Sequence, residues 1–575
     1  MKKRTVVLMY PPVGSVWHLP MGIALLTAVL QEQGHFVTQR YGHILGVEDI
    51  LRCYDRAGLE AVLATIRSSE VSIIERYSAR MWLEEASAQT ETHGDTFRVE
   101  RNNVVYVSEG LRTSHDDIQA ALTAIENRRK HLFYPYFQAE LLLLDSLQPD
   151  MYGISVDTER NVIPALILAA MVKEAQPKTL VVLGGNFWPR VLDETTAQQF
   201  TPLFQWVDAI VYAEGFQPLA ELADSLDAKT VSGTAWNDRG VVRLNPRTSS
   251  PTHFHSLPVP VFDTSVRQWS PEMVPPVFTS AACPSACGFC AISAASDSFL
   301  GKARMMPPST VADQMLELHQ RHGVTRFDVV DETFTVGQQL ALGRELVKRG
   351  FSATWQCYLT ITNQLLDKEK CAQLYAAGCR AVQLGLESLS SETLDRENKR
   401  WNTPENYAQI LRNLREAGIQ THVFLIVGIP GEPIQWAAQW PEFLREHGRN
   451  ILTIKAGRYR LTRRSPEEMY GTHHALIEPL PDAGRVLHLN RDFQYRDEGS
   501  GRSIRKDVEA ARDLVEQACR EHWAYEVTST LPWWITRGDY TWEQLEEQSV
   551  ILRTTGVKTP KVSHIADARR RLSRV

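Results

Sequence analysis

The sequence predicts an α/β protein with a doubly wound, Rossmann-like N-terminal domain, a partial (β/α)6 barrel and a mixed C-terminal segment. Three observations support this fold class. The chain has 575 residues, which is more than one hydrophobic core usually supports. Short apolar segments alternate with helical segments in two separate series, a pattern typical of parallel sheets. A stretch rich in Pro, Ser and turn residues lies between the two series, which indicates a linker.

The first series predicts a doubly wound domain over residues 1–230. The strand TVVLMY (5–10) is followed by a Pro/Gly loop and by a helix that stops at Gly34. The alternation resumes with DMYGISV, TLVVLGGN and DAIVYAEG. Between them, the charged and irregular residues 70–140 are predicted to form an inserted helical excursion. Ligands of such sheets bind at the carboxyl ends of the strands.

The second series predicts a barrel over residues 273–460, after a linker at 231–272. It contains six βα-type units, and its most clearly marked helix has Thr403 as N-cap and Pro404 at its first position. Function in such barrels lies at the C-terminal ends of the strands. Residues 461–575 are interpreted as a C-terminal domain that could cap the substrate.

Composition and charge narrow the classes of function. The net charge is −6 at pH 7 and both signs are interspersed, so no basic surface for nucleic acid is expected. No apolar run approaches the roughly 20 residues of a membrane span. The apolar run near the start is only about six residues long and ends at Pro11, which is shorter than a signal peptide requires. We therefore expect a cytoplasmic protein without a membrane span or a nucleic-acid partner.

Three of the eight cysteines lie within TSAACPSACGFCAIS (279–293), as Cys283, Cys287 and Cys290. A structural zinc site needs four ligands, and no second pair or nearby histidine completes this set. A disulfide framework is disfavoured because the other cysteines are scattered. Inert buried thiols are a further alternative, but the Pro, Ser, Ala and Gly between these cysteines indicate a loop. Three thiolates on a short loop suit an iron–sulfur cube with one iron left for another ligand.

The C-x3-C-x2-C spacing after the first barrel strand, with Phe289 before the last cysteine, resembles the radical S-adenosylmethionine (radical SAM) superfamily. The resemblance implies that Cys283, Cys287 and Cys290 hold a [4Fe–4S] cluster whose fourth iron is chelated by the amino and carboxylate groups of SAM. It also implies that an electron from the reduced cluster cleaves SAM to methionine and a 5′-deoxyadenosyl radical. We expect an external electron donor of the flavodoxin or ferredoxin type.

Segments after later strands resemble the superfamily's SAM-binding positions. DETFT follows the second strand, where the superfamily contacts the SAM amino group, and GLESLS follows the fourth, where it contacts the ribose or methionine part. VGIPGE resembles the segment whose backbone pairs with adenine. Each has a structural alternative, because an acidic residue at a strand end is often an N-cap and Pro-Gly is a common turn. The SAM-binding residues implied by the resemblance are Phe289, Asp331, Glu332, Glu387, Ser388, Gly428 and Ile429.

The N-terminal series resembles the cobalamin-binding domain that precedes the barrel in one radical SAM subgroup. The resemblance rests on YPPVGSVWHLPMGIALL, VVLGGNFWP and VDAIVYAEGFQPLAEL. The D-x-H-x-x-G motif that supplies an axial histidine is missing, so we expect no protein histidine on cobalt, with His18 as the alternative. The alternatives for the whole domain are a nucleotide or flavin ligand, or a lost ligand. The implied cobalamin-binding residues are Pro12, Val13, Gly14, Ser155, Val156, Gly184, Gly185, Asn186, Glu214 and Gly215.

The resemblance implies a cobalamin-dependent methyltransferase that acts on an unactivated carbon of a small molecule or peptide in a biosynthetic pathway. One alternative is a rearrangement or cyclisation that uses cobalamin without methyl transfer. Another is a non-enzymatic cobalamin or redox sensor. A tRNA-methylthiolating enzyme is disfavoured because the N-terminal half lacks three further cluster cysteines. The sequence leaves the substrate, the catalytic acid or base and the oligomeric state open.

Overall fold

The protein divides into two compact units. In the computed structural model, the first unit contains Met1–Met273 and the later segment Asp482–Leu489. The second unit contains Val274–Pro481 and Asn490–Lys558. The structure describes residues 2–14, 19–68, 70–71, 75, 79, 90–92, 95–100, 103–107, 111, 116–247, 254–264, 273–292, 303–471, 476–481, 484–496, 503–525 and 541–555.

The first unit is built on a seven-stranded sheet with helices on both faces. Its strands and helices are β1 (Thr5–Tyr10), α1 (Met21–Glu32), β2 (Phe36–Tyr41), α2 (Gly42–Arg67), β3 (Thr90–Thr92), β4 (Asp95–Glu100), β5 (Asn103–Val107), α3 (Asp117–Glu126), α4 (Tyr134–Leu147), β6 (Met151–Ser155), α5 (Glu159–Ala175), β7 (Leu180–Gly184), α6 (Trp188–Val191), β8 (Ala209–Val211), α7 (Phe216–Ser225), β9 (Thr234–Asp238) and β10 (Val241–Leu244).

The order of this sheet is β10-β9-β8-β7-β6-β1-β2, and the five strands from β8 to β2 are parallel. The chain winds from β1 outward to β2 and from β6 outward to β8, so the direction of winding reverses between β1 and β6. Helices α1 and α7 pack together on one face, and α4 packs with α2 and α5. The doubly wound fold predicted from the sequence is confirmed, and its switch point lies between β1 and β6.

Two parts of this unit differ from the sequence prediction. The excursion at 70–140 is only partly helical, because β3, β4 and β5 form an antiparallel sheet before α3 and α4. The expected linker at 231–272 is not wholly a linker, because β9 pairs antiparallel with β8 and extends the sheet. Arg239 and Gly240 have φ angles of 54° and 93°, which a tight hairpin turn requires.

The second unit is a six-stranded parallel sheet with helices and small additional strands. Its elements are β11 (Pro276–Val277), β12 (Ser280–Ala281), β13 (Arg304–Met305), α8 (Pro308–His322), β14 (Arg326–Val329), α9 (Val336–Lys348), β15 (Thr354–Tyr358), α10 (Lys368–Ala377), β16 (Cys379–Glu387), α11 (Ser391–Arg396), α12 (Tyr407–Glu416), β17 (Gln420–Val427), α13 (Ile434–Ala437), α14 (Trp440–His447), β18 (Thr453–Arg458), β19 (Leu461–Thr462), α15 (Pro466–Tyr470), β20 (Ile477–Pro479), β21 (Asn490–Arg491), β22 (Phe493–Tyr495), α16 (Arg505–Arg520) and α17 (Trp542–Thr555).

The strands of the large sheet follow the order β11-β14-β15-β16-β17-β18, and all five neighbouring pairs are parallel. The first and last strands are not paired with each other, so the sheet is an open, partial barrel. The predicted (β/α)6 architecture is confirmed. Within the described residues, no helix is both long and apolar enough to cross a bilayer.

Two features of this unit differ from the sequence prediction. Helix α16 lies in the segment predicted to form a C-terminal domain, but it packs against β17, β18, α13 and α14 of the barrel. Its buried Val508, Ala511 and Val515 supply the apolar face for that contact. The helix expected from Thr403 begins as a 3-10 turn over Pro404–Asn406, and the Thr403 side chain makes no capping hydrogen bond.

Candidate active site

The three clustered cysteines lie on the loop that follows β11, at the carboxyl end of the parallel sheet. All three are free thiols; Cys287 is buried, and Cys283 and Cys290 are half-buried. Burial raises the pKa of Cys287 to about 12 and that of Cys290 to about 11, and proximity of the other thiols adds to both shifts. The predicted cysteines therefore converge at one place.

The middle of this loop is held by backbone hydrogen bonds from two directions. Gly288 N donates to Glu397 O over 3.0 Å, and Glu467 N donates to Gly288 O over 3.0 Å. Asn398 Nδ2 also donates to Ala286 O over 3.1 Å. A Cβ atom at Gly288 would lie 2.6 Å from Glu397 Oε2, so the loop approaches this segment as closely as a glycine permits.

A buried ion pair lies beside the thiols. Lys399 Nζ is 2.7 Å from Glu387 Oε1, and the two side chains are only 12% and 9% exposed. The same ammonium lies 5.9 Å from the centre of the Phe289 ring, within the range of a cation–π contact. The charge of Lys399 lowers the pKa of both Cys287 and Cys290, opposing the effect of burial. Glu387 itself has a φ of 61°, a backbone conformation that a non-glycine residue rarely adopts.

The two acidic residues after β14 have different surroundings. Asp331 is 2% exposed; Thr279 N donates to its Oδ1 over 2.8 Å, and the hydroxyls of Thr279 and Ser280 donate to its Oδ2. Burial raises the pKa of Asp331 to about 6 despite these hydrogen bonds. Glu332 is exposed, and after burial its negative charge is one of the causes that raise the pKa of Cys290.

The loops after β16 and β17 meet through a buried hydrogen bond. Ser388 Oγ donates to a carboxylate oxygen of Glu432, and burial raises the pKa of Glu432 to about 7. Gly428 has a φ of 82°, and a Cβ there would lie 2.5 Å from Val508 Cγ1. Ile429 is buried. A small cavity adjoins this segment; its lining residues are Val427, Gly428, Ile429, Glu432, Ala437, Tyr495, Ile504, Val508 and Ala511.

The carboxyl edge of the first unit brings together the other set of predicted residues. Its parallel register places Ser155 beside Gly184, and Met9 of β1 beside Ile154 of β6. The loops after β1, β6, β7 and β8 therefore open at one edge, on both sides of the switch point. The predicted residues in these loops are Pro12, Val13 and Gly14 after β1, Ser155 and Val156 at β6, Gly184, Gly185 and Asn186 at β7, and Glu214 and Gly215 before α7.

Polar contacts join these loops to one another. Asn161 Nδ2 donates to Val13 O over 2.7 Å. Ser155 Oγ and Asn186 N lie 3.4 Å from Asp157 Oδ1, at the limit of a hydrogen bond. Burial raises the pKa of Tyr10, and the nearby Asp157 raises it further. Asp157 thus connects three of the strand ends at this edge.

Residues 277–444 match the family described as the radical SAM superfamily. The chain carries a radical SAM domain. The matched region begins at β11 and includes the cysteine loop, Lys399 and the loops after β14, β16 and β17. The predicted resemblance to this superfamily is confirmed.

Curated relatives also resemble the chain over part of its length. It is 25% identical over 304 residues to an uncharacterized methyltransferase of Pyrococcus horikoshii, covering 50% of this chain and 62% of that protein. It is 26% identical over 311 residues to the anaerobic magnesium-protoporphyrin IX monomethyl ester cyclase of Rubrivivax gelatinosus, covering 50% of this chain and 53% of that protein. The chain therefore matches about half to three fifths of the length of these relatives.

Two solved structures share the fold of both units. One is the radical S-adenosylmethionine methyltransferase TsrM from Kitasatospora setae, solved with cobalamin and a [4Fe–4S] cluster bound; its TM-score is 0.56 at 15% identity, covering 96% of this chain and 99% of TsrM. The other is the cobalamin-dependent S-adenosylmethionine radical enzyme OxsB; its TM-score is 0.57 at 14% identity, covering 99% of this chain and 78% of OxsB. These matches place the radical SAM domain after a doubly wound unit of the same type.

The thiols of the radical SAM domain fit an iron–sulfur cube by the chemistry of their donor set. In the described part of the chain, no three His, Cys, Asp or Glu side chains are grouped closely enough to hold a single metal ion. A cube has a different requirement, because each thiolate binds its own iron. Three free thiols meet that requirement, because they lie on one loop that is held by backbone hydrogen bonds, and the charge of Lys399 lowers the pKa of Cys287.

The carboxyl edge of the first unit offers a polar group that suits a cobalamin ligand. Asn186 Oδ1 is buried without a hydrogen-bond partner, so it can accept a hydrogen bond from a ligand amide. A Cβ at Gly184 would lie 3.8 Å from Val211 Cβ, which is an ordinary contact, whereas a Cβ at Gly185 would lie 2.5 Å from Val156 O. The close contact with the loop after β6 therefore requires a glycine at position 185. His18 lies outside the described residues.

Sequence reasoning missed several residues that shape these sites. Lys399 lies in ENKR, twelve residues after Glu387, and a basic residue in a loop after a predicted SAM-binding strand is the signal that could have identified it. Glu397 and Asn398 in the same segment hold the cysteine loop through a carbonyl and an amide. Asp157, two residues after the end of β6, is also missing from the residues that the sequence predicts for the first unit's site.

Proposed function

We propose that this protein is a cobalamin-dependent radical SAM enzyme that methylates an unactivated carbon of a small molecule or peptide in a biosynthetic pathway. The observation that carries the proposal is the convergence of three free thiols and Lys399, which lies over the Phe289 ring between them, at the carboxyl end of the radical SAM domain. The methyltransferase names of one curated relative and of TsrM support the choice of reaction.

Each residue group of the second unit has a defined task in this proposal. Cys283, Cys287 and Cys290 hold the [4Fe–4S] cluster. The amino acid end of SAM carries one positive and one negative group, so the carboxylate of Glu332 and the ammonium of Lys399 match it in charge. Gly428 and its neighbours offer backbone groups for the adenine. When bound, the cluster supplies the electron that cleaves SAM and cobalamin supplies the means of carrying a methyl group.

The first unit holds cobalamin at its carboxyl edge in this proposal. Asn186 Oδ1 accepts a hydrogen bond from a peripheral amide of the corrin, and the backbone of Val13 and Gly184 lines its approach. No protein histidine is assigned to the cobalt. An external flavodoxin- or ferredoxin-type donor supplies the electron. The cytoplasm is the proposed location, because an iron–sulfur cluster and free thiols need reducing surroundings.

A second candidate reaction is a cyclisation or rearrangement without methyl transfer. The observation that favours it is the similarity to a relative named as a monomethyl ester cyclase. Both reactions need the same cluster loop, so the sites of the second unit do not distinguish them. The fate of the SAM methyl group does.

The proposal is tested without knowledge of the substrate by reconstituting the full chain anaerobically with iron, sulfide and cobalamin. Addition of SAM and a strong reductant is expected to yield S-adenosylhomocysteine in a single burst of about one equivalent, because one cobalamin accepts one methyl group. Liquid chromatography with mass spectrometry measures the yield. Chain reconstituted without cobalamin is the control. If the burst is absent although 5′-deoxyadenosine forms, the methyltransferase proposal is wrong and the second candidate replaces it.

A further inference from the structure

Asp331 lies where the hydrogen-bond ladder between β11 and β14 ends. The ladder pairs Val277 with Val329, and Val330 N donates to Val277 O over 3.1 Å. Two residues after Val277, on the same side of the strand, the amide of Thr279 donates to Asp331 Oδ1 over 2.8 Å. The side chain of Asp331 therefore takes the place of the backbone acceptor that one more rung would supply.

The same carboxylate holds the base of the cysteine loop through two hydroxyls. Thr279 Oγ1 donates to Asp331 Oδ2, and Ser280 Oγ donates to the same oxygen over 3.0 Å. Met306 N, in the segment that follows the cysteine loop, donates to Thr279 O over 2.8 Å. Both ends of the loop that carries the thiols therefore converge on Thr279, and Asp331 fixes its position.

Burial and charge favour this role over a contact with SAM. Asp331 is 2% exposed, and Thr279 and Ser280 are 3% and 9% exposed, so the group of hydrogen bonds is enclosed by protein. Both carboxylate oxygens already accept hydrogen bonds within the chain. The neighbouring Glu332 is exposed, so its carboxylate is open to a ligand, whereas that of Asp331 is enclosed. Of the two acidic residues of DETFT, Asp331 is therefore engaged in holding the base of the cysteine loop, and Glu332 is the one available to SAM.

We propose that Asp331 is a positioning residue of the cluster loop, which fixes Thr279 and thereby Cys283 four residues later, and that Glu332 alone of the pair contacts SAM. The inference rests on the proposed function in one respect, namely that the three thiols bind a cluster. Partners that orient metal ligands typically alter metal affinity about 10-fold to 100-fold when they are removed.

The test compares Asp331→Ala, Asp331→Asn and Glu332→Gln in the full chain after anaerobic reconstitution. Asp331→Ala is expected to release iron to a chelator roughly 10-fold faster than the unchanged protein in the absence of SAM, and to broaden the electron paramagnetic resonance signal of the reduced cluster. The clusters that remain should bind SAM with unchanged affinity. Asp331→Asn should retain part of the chelator resistance, because its amide oxygen can still accept from Thr279 N. Glu332→Gln is expected to weaken SAM binding and leave iron release unchanged.

A second measurement does not depend on the cluster. In the metal-free chain, hydrogen exchange of the Thr279 amide should be slow in the unchanged protein and fast in Asp331→Ala. If that variant does not fold, Thr279→Val, which replaces only the hydroxyl by a methyl group and keeps the backbone amide, should release iron faster by a smaller factor. Normal iron release by Asp331→Ala, whether SAM binding is weakened or unchanged, would overturn the inference. Failure of the unchanged protein to bind any cluster would overturn the proposed function instead, and the exchange of the Thr279 amide would still report on Asp331.

Discussion

Replacement of Cys283, Cys287 and Cys290 by alanine is expected to abolish cluster binding. The unchanged protein should carry about four irons and four sulfides per chain after anaerobic reconstitution, and the triple variant should fall to background. The three thiols lie together on a loop that is held by backbone hydrogen bonds. Their loss removes the protein ligands of the cluster, because thiolates bind the irons of such clusters. Iron and sulfide analysis and the visible absorption spectrum measure the loss, and reductive cleavage of SAM should disappear with it.

Cys519→Ala is the matched control for this experiment. Cys519 is also a half-buried cysteine that forms no disulfide, but it lies on α16, outside the cysteine loop. The control variant should retain full iron and sulfide content. Retention of the same cluster by the triple variant would contradict the ligand assignment, and so would its loss in Cys519→Ala.

Replacement of Lys399 by methionine is expected to have the second largest effect. The change leaves the Glu387 carboxylate, whose side chain is 9% exposed, without its ion-pair partner. Loss of one partner of a buried pair typically lowers the free energy of unfolding by about 3 kcal/mol or more. Urea unfolding of the metal-free chain, followed by limited proteolysis, measures the effect. In the reconstituted chain, SAM binding should weaken roughly tenfold or more, because a charged hydrogen-bond donor is lost.

Two further variants show whether the loss of stability in Lys399→Met comes from the burial of the ion pair and from the unpaired charge that remains. Lys348→Met is the control, because Lys348 forms an ion pair with Glu345 while its side chain is 68% exposed, and a surface pair contributes at most about 1 kcal/mol. The double variant Lys399→Met with Glu387→Gln should recover much of the lost stability, because no buried charge is left unpaired. Equal losses from Lys399→Met and Lys348→Met would show that the Lys399 pair contributes no more than an exposed one.

The strands and their order of appearance were predictable because buried parallel strands are short apolar runs between helices. TVVLMY coincides with β1, and the cysteine loop follows β11 as expected. The hairpin of β9 and β10 carries the turn residues Arg239 and Gly240 and was detectable in principle. The sequence predicts a linker here because the strand–helix alternation is lost in a stretch rich in Pro, Ser and turn residues.

The contacts that organise the site were not predictable, because they join residues far apart in the chain. Asp331 reaches Thr279 across a separation of 52 residues, and the polarity of DETFT alone does not tell which of its two acidic residues points inward. Lys399 lies over the Phe289 ring only because the segment after α11 folds back along the cysteine loop. A sequence pattern locates the end of a strand, but the burial of each side chain depends on the loops that surround it.

The most direct test of the central claim is the fate of the methyl group of methyl-deuterated SAM during turnover. The reconstituted full chain is incubated anaerobically with reductant, cobalamin, this SAM and a small-molecule extract of its own host, and the products are analysed by mass spectrometry. A cobalamin-dependent radical SAM methyltransferase should yield a new compound that carries the deuterated methyl group, together with S-adenosylhomocysteine and 5′-deoxyadenosine in comparable amounts. Conversion of a compound with 5′-deoxyadenosine but without label or S-adenosylhomocysteine would contradict the claim.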